Sequence, residues 1–374
     1  MKRVVLDARY LGPAASGIGR HTRELCAAMQ GANPELAWSF VERRAGAALP
    51  LRSRASLVFD HAPYGPRTSL LLGRELGKLG PADLFHSPFH VLPRGLACPA
   101  VLTMHDAFNF EQPKTSNYPF PISWLEWGYF LWAVPDSLAR ARRVISVSKT
   151  TADEIRKRVP DCRDKLRVVY HGVTESFRKL ADQDAVRRRC RELTGSDAPF
   201  FLCIGAVSPN KNHAGMLRAF ARAFPPGSPA RLAVVHRFGS ARRLERLALA
   251  LGVAERYRPL GSIGDEDLLC LLNGALAFVF CSKLEGFGLP VLEAMAAGCP
   301  VLTSSVSCLP EIAGNAALFA DPYDVSDMAA KLKRLYDEPA LRAELRERGF
   351  ERRAAFSWQK AAKETLEVYD EAMS

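Results

Sequence analysis

Short runs of β-branched and apolar residues recur along this chain, separated by longer stretches in which apolar positions return at helical spacing. In the first half the runs include "RVVLDA" (residues 3–8), "DLFHS" (83–87), "AVLTMHD" (100–106) and "RVISVS" (143–148). In the second half they include "FFLCIGA" (200–206), "RLAVVH" (231–236), "ALAFVFCS" (275–282) and "PVLTS" (300–304). A run that is apolar at successive positions reads as a strand buried on both faces, and such strands alternating with helices build parallel sheets. Two series of this kind predict an α/β chain with two doubly wound domains. The seam falls within "YHGVTESFRKLADQD" (170–184), which sets the domains at residues 1–172 and 173–374. The tail reads as consecutive amphipathic helices, with Asp324 or Ser326 capping the first and Ser357 the last.

Composition narrows the class. The 374 residues are 48% hydrophobic, enough for two ordinary cores. No apolar run approaches the ~18 residues of a membrane span, and "MKRVVLDARYLG" lacks the features of a signal peptide. Nine cysteines stand singly with no C-x-x-C, the usage of packed, reduced thiols in a cytoplasmic protein rather than of a zinc site. The net charge of +11 favours a polyanionic partner: nucleic acid, anionic lipid or an anionic small substrate. The basic bursts "VRRRCREL" (186–193) and "ARRLERL" (241–247) mix acidic and apolar residues at helical spacing, as solvated helix faces do. No aromatics interleave with Lys and Arg and no nucleic-acid module is found, which leaves a basic nucleic-acid-binding protein as the weaker, non-enzyme alternative.

Ligands of open parallel sheets bind beyond the carboxyl ends of strands, and the unusual residues of this chain lie there. After "ALAFVFCS", Gly286 and Gly288 let the backbone turn its N–H groups toward an anion, and a helix expected to start at Pro290 adds roughly half a positive charge. Glu285 stands just outside that helix and Glu293 in its expected first turn, where carboxylates can accept hydrogen bonds from sugar hydroxyls beside a diphosphate. The plainer reading has Glu293 complementing the helix dipole and Glu285 solvated. Lys211 sits in the turn after "FFLCIG", within reach of a diphosphate. In the first half, Gly17 and Gly19 follow the first strand and permit close backbone approach, although Thr22 breaks the G-x-G-x-x-G spacing. His105 ends the strand before Asp106. The D-x-D pattern of Asp265 to Asp267 reads as a helix start rather than a metal site.

Glu285 through Glu293 resembles the E-x7-E motif of retaining glycosyltransferases with the GT-B fold, family 4. The likeness extends to "GIGR", "MHD", "YHGV", "GAVSPNKN" and "FSW", and so across nearly the whole chain. It implies two Rossmann-like domains facing a cleft and a C-terminal helix, about residues 358–374, that crosses back to the N-terminal domain. It also implies roles. Glu285 contacts the donor sugar, and Gly286, Phe287, Gly288 and Leu289 lie along the donor, with backbone N–H groups offered from Phe287 to Leu289. Glu293 binds the ribose, Lys211 the diphosphate, His105 faces the sugar, and the Gly17–Gly19 loop closes over the phosphates. Two departures stand out. Ala206 occupies a position where many members have arginine, with Arg20 or Arg237 as possible substitutes, and His236 replaces a common glycine. The pattern is closest to bacterial polysaccharide mannosyltransferases, implying hexose transfer from GDP-mannose to a glycan or lipid-linked acceptor with no metal or other cofactor. The alternatives are a UDP-, dTDP- or other GDP-sugar used on a soluble acceptor, and an inactive scaffold. The intact Lys211, Glu285 and Glu293 disfavour the last.

"SNYPFPISWLEWGYFLWAVPDSL" (116–138) carries Trp124, Trp127 and Trp132 within nine residues. A core helix would bury Trp124, Trp127 and Leu131 on one face. A wider aromatic arc beside a basic surface would instead dock on the anionic inner face of a membrane.

Overall fold

The computed structural model describes residues 2–11, 17–44, 52–107, 122–236 and 242–374. The chain divides into two compact units, Met1–Gly172 together with Phe356–Ser374, and Val173–Ala355. The first holds β1 (Arg3–Asp7), β2 (Ala37–Glu42), β3 (Ala55–Val58), β4 (Leu84–Ser87), β5 (Ala100–Met104), β6 (Arg143–Ser146) and β7 (Leu166–Val168). All pairings are parallel and the order is β3-β2-β1-β4-β5-β6-β7. The second holds β8 (Phe200–Ile204), β9 (Arg231–Val235), β10 (Tyr257–Gly261), β11 (Ala277–Phe280), β12 (Val301–Ser304) and β13 (Leu318–Ala320), again all parallel, in the order β10-β9-β8-β11-β12-β13. Each order reverses once, between β1 and β4 in the first sheet and between β8 and β11 in the second, and each reversal opens a crevice beyond the strand ends.

Both sheets are covered on two faces because their strands are apolar at successive positions. In the first unit Val5, Phe85, Leu102 and Val144 share a core with Phe130, Val134 and Leu138 of the helix Ile122–Arg140. The helix Trp358–Met373 also belongs to this unit and buries Trp358, Ala362, Val368 and Tyr369. Its start is fixed by Ser357, whose Oγ accepts from the Lys360 N–H at 3.1 Å. A Cβ on Gly172 would lie 2.2 Å from the Trp358 nitrogen, so only glycine lets "YHGV" and "FSW" touch there. In the second unit Phe201, Leu232 and Val279 pack with Met216, Phe220 and Leu332. Asp324 caps the helix Val325–Asp337 by accepting from the Ser326 and Asp327 N–H groups.

The nine cysteines are all free, and seven of them are buried. Both basic bursts lie on amphipathic helices. In Gln183–Thr194 the residues Val186 and Cys190 turn inward, and in Arg242–Ala250 Leu244 and Ala248 do. The aromatic helix differs from its core-helix expectation: Phe130, Ala133, Val134 and Leu138 face inward, whereas Trp124 and Leu131 are 54% and 40% exposed. Among the described residues no helix is long and apolar enough to cross a membrane. Residues 116–121 of the aromatic segment lie outside the described residues.

Candidate active site

In the second unit the crevice at β8 and β11 is built by two loops stitched to each other. Gly205, at φ 148°, leaves room for the Lys211 stem, since a Cβ there would meet Lys211 Cγ and Cδ at 3.2 and 3.3 Å. Asn212 adopts φ 55°, and its side-chain amide donates to the carbonyls of Cys281 at 3.1 Å and Pro322 at 2.8 Å. The Lys283 N–H donates to the Asn210 carbonyl at 2.8 Å, which locks the loop after β8 to the loop after β11.

These anchors bring Lys211 and Glu285 together. The ammonium donates to both carboxylate oxygens, at 2.7 and 2.9 Å, and stands 5.2 Å from the Phe280 ring centroid. Glu285 is not solvated as the plainer reading held, because its side chain keeps 9% of its exposure. Its peptide is clamped by Ser307. The Glu285 N–H donates to Ser307 Oγ at 3.1 Å, and that hydroxyl donates back to the Glu285 carbonyl at 2.7 Å. Ser307 does this from φ 62°, a backbone region costly for a non-glycine residue and characteristic of functional loops. It went unnoticed in the sequence because nothing in "SSVSCLP" marks it.

Beyond Glu285 the chain passes Gly286 and the buried Phe287 to Gly288, at φ 95°, where a Cβ would press on Leu309 Cδ2 at 2.8 Å. The helix that follows is Leu289–Ala296, starting one residue before Pro290, and no side chain caps it. An uncapped helix start in a crevice offers its N–H groups to an anion. Glu293 is the fifth residue of this helix rather than a member of its first turn, and it is buried. It therefore sits past the positive end of the dipole, which corrects the dipole-complement expectation. Ala206 is half-buried in the loop after β8, and His236 follows β9 with its N–H donating to the Gly261 carbonyl. Arg237 lies outside the described residues. Asp265, Glu266 and Asp267 form the first turn of the helix Asp265–Gly274, and Asp267 accepts from Arg189 Nε at 2.7 Å.

In the first unit the crevice at β1 and β4 gathers histidines. Gly17 is exposed and Gly19 buried at the start of the helix Gly17–Ala32, with Arg20 half-buried beside them. One turn on, His21 Nδ1 meets His171 Nδ1 at 2.9 Å, and the His21 ring stands edge-on to His105 with centroids 4.7 Å apart. His171 stacks on Trp358 at 5.8 Å. The His105 N–H donates to His90 Nε2 at 3.1 Å, and His105 Nε2 lies 2.9 Å from the Pro88 carbonyl. A carbonyl only accepts, so Nε2 carries the proton and His105 Nδ1 is left as an acceptor. Burial pushes His90 down to about 3, and burial together with the His90 charge pushes His105 down to about 4. Burial also holds His21 and His171 well below the usual imidazole range. The cluster is neutral at physiological pH. Among the described residues His21 Nε2 and Trp358 Nε1 are buried without a hydrogen-bond partner. Of this group the sequence singled out only His105. The signals for His171 and Trp358 were the motifs "YHGV" and "FSW", whose meeting no local pattern reveals.

The chain matches known families in both halves. Residues 187–352 match the model described as Glycosyl transferases group 1, and residues 15–177 match Glycosyltransferase Family 4. It is 30% identical over 292 residues, 76% of this chain and 74% of the relative, to the O-antigen chain mannosyltransferase B of Escherichia coli. It is 32% identical over 250 residues, 63% of this chain and 53% of the relative, to a D-inositol 3-phosphate glycosyltransferase of Streptomyces avermitilis. Among solved structures it resembles a sucrose-phosphate synthase of Thermosynechococcus elongatus, with TM-score 0.76 and 21% identity over 99% of this chain and 98% of that one.

Proposed function

The chain belongs to the glycosyltransferases of family 4, and from that premise we propose that it moves mannose from GDP-mannose to a glycan or lipid-linked acceptor, with retention at the anomeric carbon and without a metal. The observation that carries the reading is the Lys211–Glu285 pair beside the uncapped helix Leu289–Ala296 at the β8/β11 reversal. A diphosphate entering this crevice meets an ammonium and helix-end amides, the two kinds of group that neutralise phosphate without a cation. As Lys211 turns to the diphosphate, Glu285 is released to accept hydrogen bonds from the sugar hydroxyls. Glu293 takes the ribose. The bond from the anomeric carbon to the phosphate oxygen then breaks, and the negative charge that grows on the leaving diphosphate is held by Lys211 and the amides. The acceptor oxygen attacks from the same face and gives its proton to the departing phosphate. Within the first unit, His105 Nδ1 offers a hydrogen-bond acceptor to a hydroxylated ligand.

Mannose is favoured by the relative named as an O-antigen chain mannosyltransferase. Metal independence is supported by the engagement of Asp267 with Arg189, which occupies the carboxylate a D-x-D site would need. Peripheral contact with an anionic membrane belongs to the same reading, because a lipid-linked acceptor is presented there. A second reading, a soluble acceptor and another donor sugar, is favoured by the relative named for inositol 3-phosphate.

The test is turnover across a panel of GDP-, UDP- and dTDP-sugars, with thermal shift against the matching diphosphates and NMR of the product anomer. GDP-mannose consumption giving an α-linked product supports the reading. Absence of a shift with every nucleoside diphosphate at saturation removes the donor site from the second unit.

A further inference from the structure

Glu285 is restrained at its carboxylate by Lys211 and at its backbone by the loop after β12. Ser307 Oγ accepts from the Glu285 N–H at 3.1 Å and donates to the Glu285 carbonyl at 2.7 Å. The N–H and C=O of one residue thus face a single oxygen, which fixes rotation about the Glu285 Cα–C bond from outside its own segment. Cys308 Sγ donates to the same carbonyl at 3.3 Å. Burial, with the nearby Glu285 and Glu311 carboxylates, keeps that thiol protonated and so able to donate.

The loop that provides these contacts is anchored at both ends. It leaves β12 at Ser304, and the Ser305 N–H donates to the Ala320 carbonyl at 2.9 Å. It runs into the short helix Leu309–Ala313, whose buried Leu309 stands directly behind Gly288. Ser307 therefore holds the start of the turn Glu285–Gly288, and Leu309 backs its end. Between these anchors Ser307 adopts φ 62°, a conformation in which glycine is the ordinary occupant. What serine adds over glycine there is a Cβ that makes the backbone unfavourable and a hydroxyl that is fully used. Strain of this kind persists where the surrounding structure imposes it, and it concentrates at functional sites.

We propose that Ser307 is a positioning residue for transfer, whose hydroxyl keeps the Glu285 carboxylate aimed at the donor sugar once Lys211 has turned to the diphosphate. The proposal rests on the reading above and deepens it. The ammonium contacts both carboxylate oxygens, and that restraint is given up when the ammonium is drawn to phosphate. Alignment of the sugar matters most from that moment on. The Ser307 bonds run to the backbone and survive the change. Ser307 therefore acts on turnover, while diphosphate affinity belongs to Lys211 and the helix Leu289–Ala296.

The experiment compares S307G and S307A with wild type by melting temperature, calorimetric GDP affinity and turnover of GDP-mannose, or of whichever panel sugar the wild type consumes with its matching diphosphate. S307G fits the backbone without strain and lacks the hydroxyl. Its melting temperature should equal or exceed that of wild type and its diphosphate affinity should be unchanged, while kcat falls about tenfold or more. S307A keeps the strain and leaves the Glu285 N–H unbonded, so kcat and melting temperature should fall together. Should S307A fail to fold, S307G still decides. The double variant E285Q/S307G gives the readout that a merely structural serine would not move. Because Ser307 acts through Glu285, its kcat should lie within about twofold of E285Q alone. Wild-type kcat in S307G, with E285Q impaired, overturns this proposal and leaves the donor reading standing. So does a double variant that falls below E285Q by the full S307G factor, or an S307G whose diphosphate affinity drops with its kcat. Near-normal turnover in E285Q removes the donor reading and this proposal with it.

Discussion

At the β1/β4 reversal of the first unit the crevice is lined by imidazoles, while at the β8/β11 reversal of the second it holds an ammonium against a carboxylate. The two sheets share a topology, so the difference lies in the side chains at the strand ends and in how each crevice handles charge. His90 and His105 are kept neutral by burial, and their hydrogen bonds run to carbonyl and ring acceptors that fix a tautomer. Lys211 and Glu285 keep charge inside a partly closed site because each is the other's counter-ion. A neutral crevice suits a hydroxylated ligand that must be oriented, and a charged one suits a ligand whose own charge changes during reaction. The architecture is shared by the two units, and the loops decide how each crevice handles charge.

The sharpest way to break this contrast is Glu285→Gln. Its turnover should fall by about a hundredfold or more, because the lost acceptor matters most when the sugar is aligned for transfer. Nucleoside diphosphate affinity, read by calorimetry, should be unchanged or tighter, since Lys211 loses a competitor. Near-normal turnover would remove Glu285 from the reacting site. Lys211→Ala should come next, weakening diphosphate binding by roughly 1.5–3 kcal/mol, as expected for a charge-assisted contact. It should lower turnover further as leaving-group charge develops. Affinity equal to wild type would put the diphosphate elsewhere.

A smaller effect separates the units by acid. Burial sets His86 and His90 at about 3 in the folded first unit, against about 6.5 in an unfolded chain. The unfolded state therefore binds protons that the folded state refuses. Stability is complete above about pH 6.5 and is lost as pH falls toward the folded values, by about 1.4 kcal/mol per pH unit for each such histidine. In the second unit His213 is lowered in this way, to about 4. All five tryptophans lie in the first unit, so their fluorescence reports it selectively. The fluorescence midpoint should come at higher pH than the far-UV circular dichroism midpoint. Coincident midpoints would show that the histidine crevice carries no acid lability of its own. The smallest effect should be that of chelation. EDTA should leave turnover at its untreated level, and loss restored by Mg²⁺ would return Asp265 and Asp267 to consideration.

Much of this was legible in the sequence. Central strands such as "FFLCI" and "RVVLD" announce themselves because burial on both faces leaves no polar position. The strands β3 and β10 do not. "ASLV" shows only alternate positions to the core, and "YRPLG" carries an arginine and a proline, so edge strands read as loop. The charged crevice was legible because its residues follow strands and glycines that dictate a turn. The histidine crevice was not. His21 and His171 are 150 positions apart and meet only when the sheet and the last helix are both in place. The aromatic helix was ambiguous for another reason: periodicity shows that one face is apolar, and cannot show whether that face meets protein or solvent.

Gly172 against Trp358 makes the first unit a structure interrupted in sequence, with Val173–Ala355 inserted before its last helix. Read in time rather than space, the half whose synthesis begins first is completed last. While residues 173–355 emerge, they form a continuous unit able to fold at once. The seven-stranded sheet meanwhile waits without Tyr369 to meet His86 Nδ1, or Trp358 to stack on His171. Until the helix Trp358–Met373 arrives, the nascent first unit exposes the apolar groove which that helix later fills, on the side of the helix Gly17–Ala32. That interval is when a chaperone would find the chain, and a ribosome stalled near residue 355 would hold a finished second unit beside an open first one.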